Sequence, residues 1–130
     1  MINRLSVLLI QDDIKAIADI TAVCLDAGIS ERHIFSVSEA DSAERYLEIA
    51  GISCVVVDAS LYNYVVSSTI EKFSQYFPIQ TIITNAKPQQ MTLRMMNDKS
   101  LTFLKSKEEL LEILSRGART VYAYSEISSF

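Results

Sequence analysis

The sequence predicts an α/β domain built on a five-stranded parallel sheet with helices on both faces. Short apolar runs alternate five times with longer segments that have helical apolar spacing. Strict alternation of this kind is typical of parallel strands joined by helical crossovers. The chain has 130 residues, which suits one domain whose core is large enough to need no disulfide or metal.

The first strand and helix are predicted from an apolar run and a glycine. Residues 5–10 read LSVLLI, a short apolar run that is typical of a buried strand. A helix is then expected from Ile14 to Gly28, because glycine commonly ends a helix. Its buried face is predicted to carry Ile14, Ile17, Ala18, Cys24 and Leu25.

The second unit repeats this arrangement. Residues 33–38 form the next strand, and Ser38 is predicted to begin a helix with Asp41 as its capping partner. Gly51 ends this helix. Its buried stripe is predicted to consist of Ala40, Ala43, Leu47 and Ala50.

The third and fourth strands have the clearest apolar character. Residues 53–60 read SCVVVDAS, with four consecutive apolar side chains before Asp58. A weaker helix is expected over residues 65–76, and Pro78 breaks it. Residues 79–84 form the fourth strand.

The fifth unit follows a proline. Pro88 is predicted to open a short helix that runs to about Asn97, and residues 101–104 form the last strand. Ser106 and Glu109 have the spacing of a capping box. The final helix that they start has apolar positions at Leu110, Leu111, Ile113 and Leu114.

Polar side chains follow four of the strands at the point where each strand ends. Ligands bind at the carboxyl ends of strands in open parallel sheets. These ends carry Asp12, Asp13, Asp58, Thr84 and Lys105. Three carboxylates at one edge favour Mg²⁺, which binds oxygen ligands and often a phosphoryl oxygen as well. The threonine and the lysine suit the binding of a phosphoryl group.

Five stretches, in this order, make the chain similar to the receiver domains of two-component response regulators. They are LLIQDD, VSEADSAERYL, VVVDASL, Thr84 and FLKS, within residues 5 to about 117. The separation between Asp13 and Asp58 also matches this family. The resemblance implies a CheY-like, flavodoxin-like fold: a three-layer (βα)5 sandwich with a five-stranded parallel sheet in the order 2-1-3-4-5.

The resemblance also implies a role for each residue at the strand ends. Asp58 would accept a phosphoryl group from a sensor histidine kinase or a phosphotransfer protein. Thr84 and Lys105 would contact the phosphoryl oxygens and carry the switch. The ligands of Mg²⁺ would be the carboxylates of Asp12, Asp13 and Asp58 and the backbone carbonyl of Ser60.

Three positions depart from the family pattern. Asn85 follows the threonine where the family prefers a small residue, so its side chain would stand near the phosphoryl site. Thr102 replaces the usual aromatic, and Phe103 should point to the opposite face of the sheet. Ser106 replaces the proline after Lys105, where a cis bond would cost about 3 kcal/mol. The chemistry at Asp58 is therefore expected to remain possible, while the output machinery is altered.

Three other functions are alternatives to the phosphoacceptor. A pseudo-receiver that acts as a protein-interaction module is favoured by Asn85 and Ser106 and opposed by the complete set of aspartates. An aspartyl-phosphate phosphatase of the haloacid dehalogenase type would need an aspartate where Ser60 stands. A flavodoxin-type FMN binder would need a phosphate-binding loop after the first strand, and QDDIKA would repel a phosphate unless a metal were present.

Partners and location are predicted from charge and from the ends of the chain. A net charge of −4 argues against direct nucleic-acid binding, and no membrane span or signal peptide is visible, so a cytoplasmic location is expected. Residues 1–120 would be the receiver, and residues 121–130 the end of the last helix or a linker to an effector domain. A homodimer could form through helix 4, strand 5 and helix 5, with Arg94, Asp98, Lys99, Lys107, Glu108 and Glu112 on that face.

Overall fold

A computed structural model describes residues 4–49 and 51–116. The strands are β1 Val7–Ile10, β2 Ile34–Val37, β3 Cys54–Asp58, β4 Gln80–Thr84 and β5 Leu101–Phe103. The helices are α1 Ile14–Asp26, α2 Ala43–Ile49, α3 Tyr64–Ser74 and α4 Leu93–Asn97, and α5 covers residues 107–116. All strand pairs are parallel, in the order β2-β1-β3-β4-β5. The predicted fold class and strand order are confirmed.

Two apolar clusters fill the two sides of the sheet. The side chains of β1 alternate between them, and all four are fully buried. The first cluster joins Val7 and Leu9 to residues of α1 and α5, among them Ile20, Val23, Leu110 and Leu114. The second joins Leu8 and Ile10 to α2 and α3, through Ala43, Leu47, Val66 and Ile70. A strand buried on both faces explains why LSVLLI reads as continuous apolar sequence rather than an alternating pattern.

The buried face of α1 differs from the predicted one. Ile14 is 84% exposed and Leu25 is 48% exposed, whereas Ile20, Val23 and Cys24 are buried. Ile14 lies in the first turn, which begins beyond the end of β1. Leu25 lies about 100° around the helix from Cys24, which turns it away from the core.

Two helices begin later than predicted. Residues Ala40–Ser42 form a 3₁₀ turn with no side-chain cap, so α2 starts at Ala43 and not at Ser38. Residues Pro88–Gln90 form another 3₁₀ turn, and α4 starts only after Thr92, whose hydroxyl accepts from the N–H of Met95. The sequence predicts one continuous helix in each segment, whereas the structure has a 3₁₀ turn followed by a short α-helix.

The cap predicted for the last helix is present. The Ser106 hydroxyl accepts a hydrogen bond from the N–H of Glu109 at 3.1 Å. This contact satisfies one of the N–H groups that have no partner inside the first turn of a helix.

Both cysteines are free and buried. Burial raises the pKa of the Cys24 thiol to about 11. Burial, together with the neighbouring Cys24, raises the pKa of Cys54 to about 12. Both side chains therefore behave as small apolar groups in the first cluster.

The predicted division between residues 1–120 and 121–130 lies outside the described residues, as does Ala50 of the stripe on α2. Over the part of the chain that is described, none of the helices combines the length and the apolar character that a bilayer crossing requires.

Candidate functional site at the carboxyl ends of the strands

The ends of β1, β3 and β4 bring the predicted site residues to one edge of the sheet. Asp58, the last residue of β3, lies in register with Thr84, the last residue of β4. Ile10 pairs with Val57, so the two aspartates that follow β1 lie beside the end of β3. The backbone topology therefore gathers the elements that the sequence predicts, and the side-chain directions decide what the edge can do.

Both carboxylate oxygens of Asp58 accept hydrogen bonds. Oδ1 accepts from the N–H of Ser60 at 2.9 Å and from its hydroxyl at 2.7 Å. Oδ2 accepts from Nδ2 of Asn85 at 2.8 Å. Partial burial raises the pKa of Asp58, but the hydrogen bonds from Asn85 and Ser60 outweigh it, so the pKa lies below its ordinary value of 3.8. Asp58 is thus a stable carboxylate with its charge already partly satisfied.

The backbone of Asn85 supports its contact with Asp58. Asn85 has a φ of 56°, and it is the one non-glycine residue with positive φ in residues 4–49 and 51–116. Asparagine tolerates this left-handed conformation better than most residues. The turn follows directly after β4, and the side chain reaches across to the end of β3.

Asp12 and Asp13 are exposed, and their side chains do not join that of Asp58 in a metal-binding cluster. Oδ1 of Asp13 accepts from the N–H of Lys15 at 3.0 Å and so caps α1. Within the described ranges, no group of three or more His, Cys, Asp or Glu residues could hold a metal ion. The carboxylate oxygens are of the type that Mg²⁺ prefers, but in this conformation Asp13 caps α1 and Asp58 accepts hydrogen bonds from Ser60 and Asn85.

Thr84 is held by a buried glutamine. Nε2 of Gln11 donates to Oγ1 of Thr84 at 3.1 Å and to the carbonyl of Val56 at 3.4 Å. Gln11 is 1% exposed, and its Oε1 has no hydrogen-bond partner. An unsatisfied buried acceptor usually costs about 1–3 kcal/mol. The Thr84 hydroxyl is therefore bound to Gln11, which follows β1, on the face of the sheet that α1 and α5 cover.

Lys105 lies apart from Asp58. Its side chain is exposed, and no ion pair with a carboxylate is found for it among the residues described. The peptide bond to Ser106 is trans. Lys105 lines a cavity of about 240 Å³ between α1 and the start of α5, together with Gln11, Asp19, Thr84, Asn85 and Lys107. The structure thus brings Lys105 near Thr84 but not into contact with Asp58.

The side chains of β5 point as the sequence predicts. Phe103 packs against the cluster under α2 and α3, opposite the face where Gln11 meets Thr84. Its pairing partner in β4 is Ile83, which belongs to the same cluster, while Thr102 pairs with Ile82 of the other cluster. The expectation that Phe103 points away from the Thr84 side is confirmed.

Two residues of the site had roles that the sequence analysis did not assign. Gln11 stands at the end of an apolar run, where a polar residue is typical of a loop, but alternation with Leu9 places it on the same buried face. The sequence places Asn85 near the phosphoryl site, but its hydrogen bond to Asp58 requires a left-handed turn that composition does not reveal.

Comparison with known proteins shows similarity in structure rather than in sequence. No protein-family model matches the chain, and no curated protein matches it either. The signal receiver domain assigned to a Luxo repressor protein from Vibrio parahaemolyticus superposes with a TM-score of 0.67 at 14% identity, covering 93% of this chain and 95% of that one. The N-terminal domain of an uncharacterized protein from Wolinella succinogenes gives 0.70 at 14% identity, covering 92% and 98%.

A third similar structure is the N-terminal domain of a response regulator/sensory box/GGDEF 3-domain protein from Carboxydothermus hydrogenoformans. It has a TM-score of 0.64 at 12% identity and covers 92% of this chain and 98% of that chain. At these identities the likeness concerns the path of the backbone. The chain has the fold of response-regulator receiver domains.

Proposed function

We propose that the chain is a phosphoacceptor receiver domain in which Asp58 takes a phosphoryl group from a sensor histidine kinase or a phosphotransfer protein. One observation carries the proposal: the carboxylate of Asp58 ends β3 in register with Thr84, beside the two aspartates that follow β1. An aspartate with its ordinary pKa is already ionised at neutral pH, and an ionised carboxylate is the form that attacks phosphorus.

The other residues at this edge have supporting roles in the proposal. The carboxylates of Asp12, Asp13 and Asp58 and the carbonyl of Ser60 would hold Mg²⁺ after their side chains turn toward one another. The ion would offset the negative charge on the transferring group. Thr84 and Lys105 would contact the phosphoryl oxygens.

The experiment is an intact-mass measurement. The protein is incubated with MgCl₂ and an acyl phosphate, and the wild type is expected to gain the mass of one phosphoryl group. Asp58→Asn is expected to gain none, because the amide is not a nucleophile of this kind. The proposal is wrong if the wild type gains no phosphoryl mass or if Asp58→Asn gains it equally. If the wild type gains no phosphoryl mass, the protein-interaction module becomes the function to test.

The face formed by α4, β5 and α5 is the proposed contact for a second copy of the chain. Its charged residues are all exposed, as a contact surface requires. Two of them already form ion pairs within the chain: Lys107 pairs with Asp19 of α1 at 3.5 Å, and Glu112 pairs with Arg116. A third, Asp98, accepts two hydrogen bonds from Ser100 through Oδ1. Arg94, Asp98, Lys99 and Glu108 remain as the residues proposed to pair across a two-fold contact.

A further inference from the structure

We propose that Asn85 is a positioning residue that holds Asp58 in a hydrogen-bonded resting state and thereby slows phosphoryl transfer to it. The inference rests on the proposed function of Asp58 and adds an internal control on the rate at the same site. It concerns a residue outside the set of aspartates, threonine and lysine on which the proposed function depends.

The geometry supports this role. Ser60 already occupies Oδ1 of Asp58 with two donors, so Oδ2 is the oxygen left to attack phosphorus. Nδ2 of Asn85 donates to this oxygen at 2.8 Å. An oxygen that accepts a short hydrogen bond has a lone pair that is less available for bond formation.

The chemical step requires the hydrogen bond from the Asn85 amide to Oδ2 of Asp58 to break. An Oδ2 lone pair attacks the phosphorus of an acyl phosphate, the new O–P bond forms, and the bond from phosphorus to the acyl oxygen breaks. The electron pair of the broken bond leaves with the carboxylate product. The incoming phosphoryl group needs the space next to Oδ2, and Nδ2 of Asn85 lies 2.8 Å from this oxygen, so the hydrogen bond from Asn85 is lost or redirected first.

The backbone of Asn85 suggests the cleanest variant. Because its φ of 56° is left-handed, glycine removes the amide without straining the turn. Alanine removes the same amide but adds backbone strain, so a rate change common to both variants comes from the lost side chain. Asn97→Gly is a matched control, because Asn97 is an exposed amide on α4 with no contact to Asp58.

The experiment compares initial rates of phosphoryl mass gain from an acyl phosphate in MgCl₂ for the wild type, Asn85→Gly, Asn85→Ala and Asn97→Gly. Both variants at position 85 are expected to react about tenfold faster, which corresponds to about 1.4 kcal/mol. Asn97→Gly is expected to react at the wild-type rate. Thermal unfolding of each variant checks that the protein is folded at the assay temperature.

Two results would overturn the inference, and they differ in what they say of the proposed function. Unchanged or slower rates in both variants, with normal gain by the wild type, would leave Asp58 as the phosphoacceptor and remove the role of Asn85. No phosphoryl gain by any of the proteins would overturn both.

Discussion

Gln11, which follows β1, links three strands of the sheet, because its amide bonds to a carbonyl on β3 and to a hydroxyl on β4. It donates to Val56 on β3 and to Thr84 on β4, although β1 and β4 are not neighbours in the sheet. A buried hydrogen bond of this kind contributes about 1 kcal/mol. Movement of Thr84 toward Asp58 would therefore have to break a defined contact.

A double-mutant cycle tests the strength of that contact. Gln11→Met and Thr84→Val each remove one partner at nearly constant volume, and each leaves the other polar group without its bond. We expect a coupling of about 1 kcal/mol in the free energy of unfolding, measured by urea denaturation. Effects that add to within about 0.3 kcal/mol would show that the two side chains do not interact in solution.

The sequence predicted which residues stand at the edge of the sheet but not how their side chains are oriented. Asp58 and Thr84 follow apolar runs, so the end of each strand locates them. The amide of Asn85 reaches Asp58 only through a left-handed turn, and Asp13 turns toward the N–H groups of α1. The orientation of each side chain depends on which of several hydrogen-bonding groups within a few ångströms it binds. Strand periodicity does not predict this orientation.

Capping decides where the helices begin. The sequence gives the same type of prediction for Ser38 and Ser106, yet only Ser106 caps its helix. At Ser38 a 3₁₀ turn intervenes and moves the start of α2 to Ala43. Capping motifs are thus ambiguous by several residues when a tight turn can come between the cap and the helix.

Alanine substitutions distinguish the two serines. Ser106→Ala should lower the free energy of unfolding by about 1 kcal/mol, because an N–H of α5 loses its acceptor. Ser38→Ala is the matched control, and its effect should lie within about 0.5 kcal/mol of zero. Both values come from chemical denaturation. Equal losses for the two variants would contradict the assignment of the cap.

At the scale of the whole molecule, stability comes from a sheet that is buried on both faces. Ile10 is fully buried beneath α2 and α3, while Ile14, four residues later, is 84% exposed. The sequence alone predicts both as core residues. The packing of α1 on the sheet explains why Ile10 is buried and Ile14 is exposed.

The two isoleucines offer a comparison with identical chemistry. Ile10→Ala should reduce the free energy of unfolding by about 2–5 kcal/mol, through lost burial and the cavity left behind. Ile14→Ala should change it by less than about 0.5 kcal/mol. Denaturant unfolding of both variants measures the difference, and a large loss for Ile14→Ala would mean that α1 packs differently.

The proposed contact between two copies of the chain predicts a dimer in the phosphorylated state. We expect sedimentation velocity to show a dimer when beryllofluoride and MgCl₂ mimic the phosphorylated state. Lys99→Glu should weaken the dimer, since Lys99 lies on the face formed by α4, β5 and α5. Lys15→Glu, on α1, serves as the control with the same charge change. A monomer under all conditions would remove the proposed contact between copies.

The place of β1 in the sheet also affects how the chain is made. β1 lies between β2 and β3, and its register with β3 joins residues 47 positions apart, as the contact between Ser6 and Ser53 also does. During translation β2 can pair at once, but the other edge of β1 stays open until β3 leaves the ribosome. An open apolar strand edge can pair with a neighbouring nascent chain. We expect the yield of folded protein to depend on how quickly the ribosome delivers the segment between β2 and β3.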